Sequence, residues 1–165
     1  MKKTGFTARA VALGGVIAAL YVALSMAAAA LGLSSGVIQV RFSEALCILP
    51  CFTPAAIPGV TVGCFLTNVI AGGEPLDMIF GTVATLIGAV GTFLLRKNRW
   101  LAAVPPILAN VLIIPWVLQT AYGVTDSYWF LMLTIFAGEF ISIGILGELL
   151  YTAVDKSGLA ARMRV

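Results

Sequence analysis

The stretch Ile38–Asp77, IQVRFSEALCILPCFTPAAIPGVTVGCFLTNVIAGGEPLD, decides how this chain folds. It is apolar through its middle and broken by Pro50, Pro54 and Pro58, and Arg41, Glu44, Asn68, Glu74 and Asp77 lie only toward its two ends. One helical crossing of a bilayer takes about 20 residues, so the stretch is too long for one crossing. Proline removes a backbone N–H and collides with the preceding turn, so the stretch divides at its prolines into two short arms. Arms of roughly 15 residues would each span about 22 Å. Whether they cross fully or form a re-entrant hairpin, the chain returns to the side where it began. Arg41, Glu44, Asn68 and Asp77 are then expected to share one vestibule at one membrane face.

Composition sets the class. With 61% hydrophobic residues, 10% charged residues, no His and a mean hydropathy of +1.06, the chain lacks the polar surface of a soluble domain. An all-α integral membrane protein with about six transmembrane helices is expected, with residues 1–165 forming one transmembrane domain and no separate soluble one. The first apolar run, from about Ala10 to Leu31, has no convincing cleavage site and reads as a retained span. The net charge of +3 does not point to nucleic acid, because nine of the ten basic residues lie near the termini or in one short loop, where membrane topology explains them.

In chain order, Lys2, Lys3 and Arg9 precede span one and place the amino terminus in the cytoplasm by the positive-inside tendency. Along that span Ala8, Ala12, Gly15, Ala19, Ala23 and Ala27 recur every three or four residues, giving one helix face of small side chains. Two readings fit this face: packing inside the bundle, or docking of a separate membrane protein centred on Ala19 and Ala23. Leu31–Val37 (LGLSSGV) reads as an outside turn. After the two arms, a helix over Asp77–Leu95 carries a second small face of Gly81, Ala84, Thr85, Gly88, Gly91 and Thr92, and should be central. Arg96, Lys97 and Arg99 mark an inner loop. The next span runs from Trp100 to about Gln119 and contains Asn110 and Pro115. Tyr122, Asp126, Tyr128 and Trp129 surround an outer loop, and a last helix from Tyr128 to about Tyr151 returns to a basic tail with Lys156, Arg162 and Arg164. Both termini are expected to be cytoplasmic.

Arg41 is the basic residue that this topology does not explain. It could pair with Glu44 three residues on, or serve a ligand, since an ionisable group in a membrane needs a partner or a wet cavity. Glu139 is the deepest acid, roughly 16 Å along its helix from Tyr128. FAGEFISIG, around it, offers no basic neighbour, so it faces a polar cavity or pairs across helices. Cys47, Cys51 and Cys64 have no His to complete a usual metal-ligand set and read as small buried side chains. No metal or other cofactor is expected. A Ser/His/Asp triad is impossible without His, and GxxxxGK[ST] does not occur, so no enzymatic role is expected and any ATP-driven motor must be another polypeptide.

Three blocks, RFSEALCILP (Arg41–Pro50), GVTVGCFLTN (Gly59–Asn68) and DMIFGTVATLIGAVGT (Asp77–Thr92), give the chain its resemblance to the QueT family of queuosine-precursor transporters. The resemblance covers almost the whole chain. It implies a six-helix, S-component-like bundle of an energy-coupling factor (ECF) importer with an outward-facing pocket. It also implies a ligand such as 7-aminomethyl-7-deazaguanine, and as partners a transmembrane T component and two cytoplasmic ATPases. Arg41, Glu44, Asn68 and Asp77 carry over as binding positions through the matching blocks, whereas Glu139 rests on its depth. The alternative is a stand-alone secondary transporter of a purine-like or vitamin-like solute, with Glu139 or Asp77 as a proton or sodium site. A small structural subunit without a ligand is a third reading.

Overall fold

In the computed structural model, which describes residues 7–33 and 38–163, the regular elements are all helices. Lys2, Lys3, residues 34–37 of the expected outer turn, and Arg164 lie outside the described residues. Helix α1 is Ala8–Ala30 and starts at Thr7, whose hydroxyl accepts from the Ala10 N–H. A ten-residue 3-10 helix, Phe42–Cys51, follows, then α2 (Ala56–Ile70) and α3 (Pro75–Leu94). A short α4 (Arg99–Ala102) leads into α5 (Val104–Ala121). The last span joins α6 (Tyr128–Glu139), a π-helical segment (Phe140–Gly147) and α7 (Glu148–Lys156), and α8 (Leu159–Met163) closes the described chain.

The helix count fits the expected membrane bundle. Ala8–Ala30, Pro75–Leu94, Arg99–Ala121 and Tyr128–Lys156 are long and apolar enough to cross a bilayer, and Phe42–Cys51 and Ala56–Ile70 are shorter apolar helices. The two arms of the opening stretch differ in kind: the first winds as a 3-10 helix, the second as an α-helix. At about 2.0 and 1.5 Å per residue both reach only about 20–22 Å. Pro50 lies inside the first arm near its end, and Pro58 sits in the first turn of α2, where its missing N–H would lack a helical acceptor anyway. The last span is longer than the sequence suggests, because the π segment continues the helix to Lys156.

Glycines set the close contacts. A Cβ on Gly63 would lie 2.6 Å from the Tyr21 Cβ, and one on Gly59 would lie 2.9 Å from the Gly14 carbonyl oxygen, so α1 and α2 run side by side at backbone distance. The second small face is buried as a seam: Gly88 receives Pro106 and Gly91 receives Pro105, both from α5. The first small face behaves differently. Ala8, Ala12, Gly15, Ala19, Ala23 and Ala27 are all exposed, whereas Gly14, Ile17, Ala18, Tyr21 and Ala28 form the inward side of α1.

The described basic residues other than Arg41 belong to helix ends on one side of the bundle. The Arg9 guanidinium donates to the Arg162 carbonyl at 2.5 Å, which joins the start of α1 to α8. Arg96 and Lys97 follow α3, and Arg99 makes a 3.5 Å ion pair with Glu148 at the start of α7. Arg41 lies toward the opposite end, just before the 3-10 helix.

Candidate functional site

At the end opposite the basic residues, the last turns of α1 and α2, the first turn of α3 and the residue after α5 enclose a cavity of about 240 Å³. Tyr21, Arg41, Asn68, Asp77 and Tyr122 are among its polar groups. The chain reverses from α2 into α3 at Gly72, whose φ of 68° is a conformation that a side chain disfavours. That reversal brings Asn68 beside Asp77: the Asn68 amide donates to the Asp77 carbonyl at 3.3 Å. Gly81 leaves room for both side chains, since a Cβ there would lie 3.2 Å from Asp77 Oδ1 and 3.3 Å from Asn68 Nδ2. Asp77 also stands in the first turn of α3, where exposed N–H groups favour negative charge.

Tyr122 completes this corner. Its hydroxyl accepts from the Glu74 N–H at 3.2 Å and donates to Asp77 Oδ2 at 2.9 Å. Burial pushes the Tyr122 hydroxyl above its ordinary value; the Glu74 N–H opposes that shift and the neighbouring Asp77 reinforces it. The phenol therefore stays protonated at neutral pH and remains a donor to Asp77.

Glu44 is placed behind this cavity. It is 2% exposed, takes a hydrogen bond from the Tyr21 hydroxyl on one oxygen, and takes the Cys47 thiol on the other at 3.2 Å. Neither oxygen is left without a donor, and Tyr21 stands between Glu44 and the cavity. The Arg41–Glu44 pair, one of the two readings of Arg41, is not formed: among the described residues no carboxylate lies within 4 Å of the guanidinium, although Glu44, Glu139 and Asp77 all act on it electrostatically. Its nearest side-chain acceptor is Gln39 Oε1 at 3.4 Å.

Glu139 occupies a separate place. It is 8% exposed, and its Oε1 accepts from the Asn110 amide of α5 at 2.9 Å, which is a pair across helices. Its Oε2 is buried with no hydrogen-bond partner. Gln39, Arg41, Ile114, Ile135 and Glu139 surround a space of about 20 Å³, so Arg41 borders both this space and the larger cavity. The backbone before the 3-10 helix is held against the last span here. Gly138 has no Cβ to collide with the Gln39 carbonyl, and the Arg41 N–H donates to Ser142 Oγ at 3.1 Å.

The structure thus gathers Arg41, Asn68 and Asp77 around one cavity, sets Glu44 one layer behind it, and puts Glu139 on the far side of Arg41. Ala19 and Ala23 face away from all of these, on the exposed side of α1. Tyr21, Asn110 and Ser142 were not singled out as site residues by sequence. Tyr21 and Asn110 leave a trace there, each being a polar group in an otherwise apolar span, where such groups seek partners. Trp116 packs edge-on against Phe80 with ring centroids 4.9 Å apart, and Trp129 is 77% exposed; neither lines the cavity.

No solved structure matches the chain. Over 72 residues it is 38% identical to the queuosine precursor transporter QueT of Lactococcus lactis subsp. cremoris (strain MG1363). That match takes in 44% of this chain and 42% of the relative, so it spans less than half of either protein. The family model described as QueT transporter matches residues 11–156, which include every element from the second turn of α1 to the end of α7. The chain belongs to the QueT transporter family.

Proposed function

We propose that this protein is the substrate-binding S component of an ECF-type importer, and that its ligand is a queuosine precursor such as 7-aminomethyl-7-deazaguanine. The observation that carries this reading is the cavity where Asn68, Asp77, Tyr122 and Arg41 converge, at the end away from the basic residues. An ionised carboxylate only accepts hydrogen bonds, whereas a deazaguanine with an aminomethyl group offers ring N–H groups, an exocyclic amine and an ammonium. Asp77 takes the donor-rich edge, and Asn68 adds one acceptor and two donors. Glu44 acts through Tyr21, and Glu139 through Arg41. The volume suits a small heterocycle, being below the usual range for drug-sized ligands.

In this reading the basic end is cytoplasmic, both termini lie there, and the chain works as a single transmembrane unit. The exposed small-residue face of α1 docks the T component, whose complex with two cytoplasmic ATPases supplies the motor. Mass spectrometry of ligand released from the purified protein is the direct test: a deazaguanine supports the reading and an unrelated solute contradicts it.

One observation favours a second reading, stand-alone secondary transport. The unpartnered Glu139 Oε2 is a buried acceptor of the kind that a proton or sodium ion could occupy. Uptake into vesicles holding this chain alone, driven by an ion gradient without ATPases, would select it.

A further inference from the structure

Arg41 borders two spaces, and its side chain is poorly satisfied in both. Its backbone is fixed by the Ser142 hydrogen bond and by the seating of Gln39 on Gly138, so any rearrangement falls to the side chain. On one side is the cavity with Asp77 and Asn68. On the other is a gap of about 20 Å³, room for about one water-sized group, lined by Glu139, whose Oε2 is buried without a donor. The other acids facing the guanidinium are already engaged, Glu44 by Tyr21 and Cys47, and Asp77 by Tyr122. Among them Glu139 alone has a buried carboxylate oxygen without a donor, and a buried acceptor in that state is costly.

We infer that Arg41 and Glu139 together set the charge selectivity of the cavity: when a cationic ligand enters beside Asp77, the guanidinium withdraws onto the vacant Glu139 oxygen. A guanidinium left in the cavity would repel an ammonium across a short, poorly screened distance. With Glu139 as its receiver, the same residue closes a charge-assisted hydrogen bond instead. Glu139 is then a positioning residue that acts through Arg41 and does not touch the ligand. This inference rests on the proposed cationic ligand, and it assigns the vacant oxygen a purpose that direct ligand contact does not.

The test compares two compounds by calorimetry on the purified protein: 7-aminomethyl-7-deazaguanine, which is cationic, and its 7-cyano counterpart, which is neutral. Glu139→Gln should weaken the amine about tenfold, the loss of one hydrogen bond to a charged group, and change the nitrile less than twofold. Adding Arg41→Met to that variant should bring the ratio of amine to nitrile affinity back to within about threefold of the parent's, because the stranded cation is gone. Arg41→Met alone should weaken the amine no more than the nitrile, whatever it does to both, and this arm does not depend on Glu139→Gln folding. Equal weakening of both compounds by Glu139→Gln, failure of Arg41→Met to rescue it, or selective loss of the amine in Arg41→Met alone each overturns the inference. A parent protein that binds neither compound overturns the functional reading itself, a result distinct from intact binding without charge dependence.

Discussion

The Tyr122 hydroxyl donates to Asp77 Oδ2 at 2.9 Å, tying the end of α5 to the first turn of α3 across the mouth of the cavity. Tyr122 therefore orients the carboxylate to which we assign the ligand's donor edge. Tyr122→Phe keeps the ring and removes the donor. Hydrogen bonds to charged groups are worth about 1.5–3 kcal/mol, and the freed carboxylate regains part of that by rotating, so ligand affinity should fall roughly tenfold by calorimetry. An unchanged affinity would remove Tyr122 from the site.

The exposed face of α1 gives a second prediction. Ala19 and Ala23 point away from the bundle, and small side chains let a partner helix approach at backbone distance. Ala19→Trp should abolish co-purification with the proposed T component while leaving ligand binding by the isolated protein within about twofold. Normal complex formation would mean that this face meets only lipid.

Stability should separate two glycines that look alike in sequence. A Cβ on Gly88 would lie 2.6 Å from the Pro106 Cα, whereas Gly15 has open space around it. Gly88→Ala should cost about 1–3 kcal/mol by overpacking and lower the thermal midpoint in detergent by several degrees. Gly15→Ala should be neutral or slightly stabilising, since alanine is the better helix former. Equal midpoints for the two variants would contradict the α3–α5 seam.

Orientation is tested by labelling. Single cysteines at positions 98 and 125, on a background without Cys47, Cys51 and Cys64, should react with an impermeant reagent only at 125 from outside. Reaction at 98 would invert the bundle and the cavity with it.

Much of this was legible in sequence because it follows from spacing and length. The prolines of Ile38–Asp77 divide it into two arms that return the chain to one face, and the Gly72 turn that follows brings Asn68 beside Asp77. The glycines of α3 mark a close seam because only a residue without a Cβ admits Pro105 and Pro106. The small face of α1 was ambiguous, since periodicity reports that a face exists and not whether protein or partner covers it. Glu44 looked like a vestibule residue because position along a helix does not reveal that a tyrosine from α1 stands in front of it. Glu139 is buried, as its apolar context implies, though less completely than Glu44. Its separation from Asp77 by Arg41 depends on how the extended residues before the 3-10 helix seat on Gly138 and Ser142, a long-range contact without local signature. The π segment after Glu139 gave no sign in an evenly apolar run.

The account turns on Asp77 as the carboxylate that receives a cationic heterocycle. Calorimetric titration of 7-aminomethyl-7-deazaguanine into the parent protein and Asp77→Asn, both shown to be folded in detergent, measures this directly. Asparagine keeps the shape and removes the charge. The account predicts tight binding by the parent and a loss of roughly one to two powers of ten in Asp77→Asn. Binding within about threefold of the parent, or a parent that prefers an anionic ligand, would contradict it.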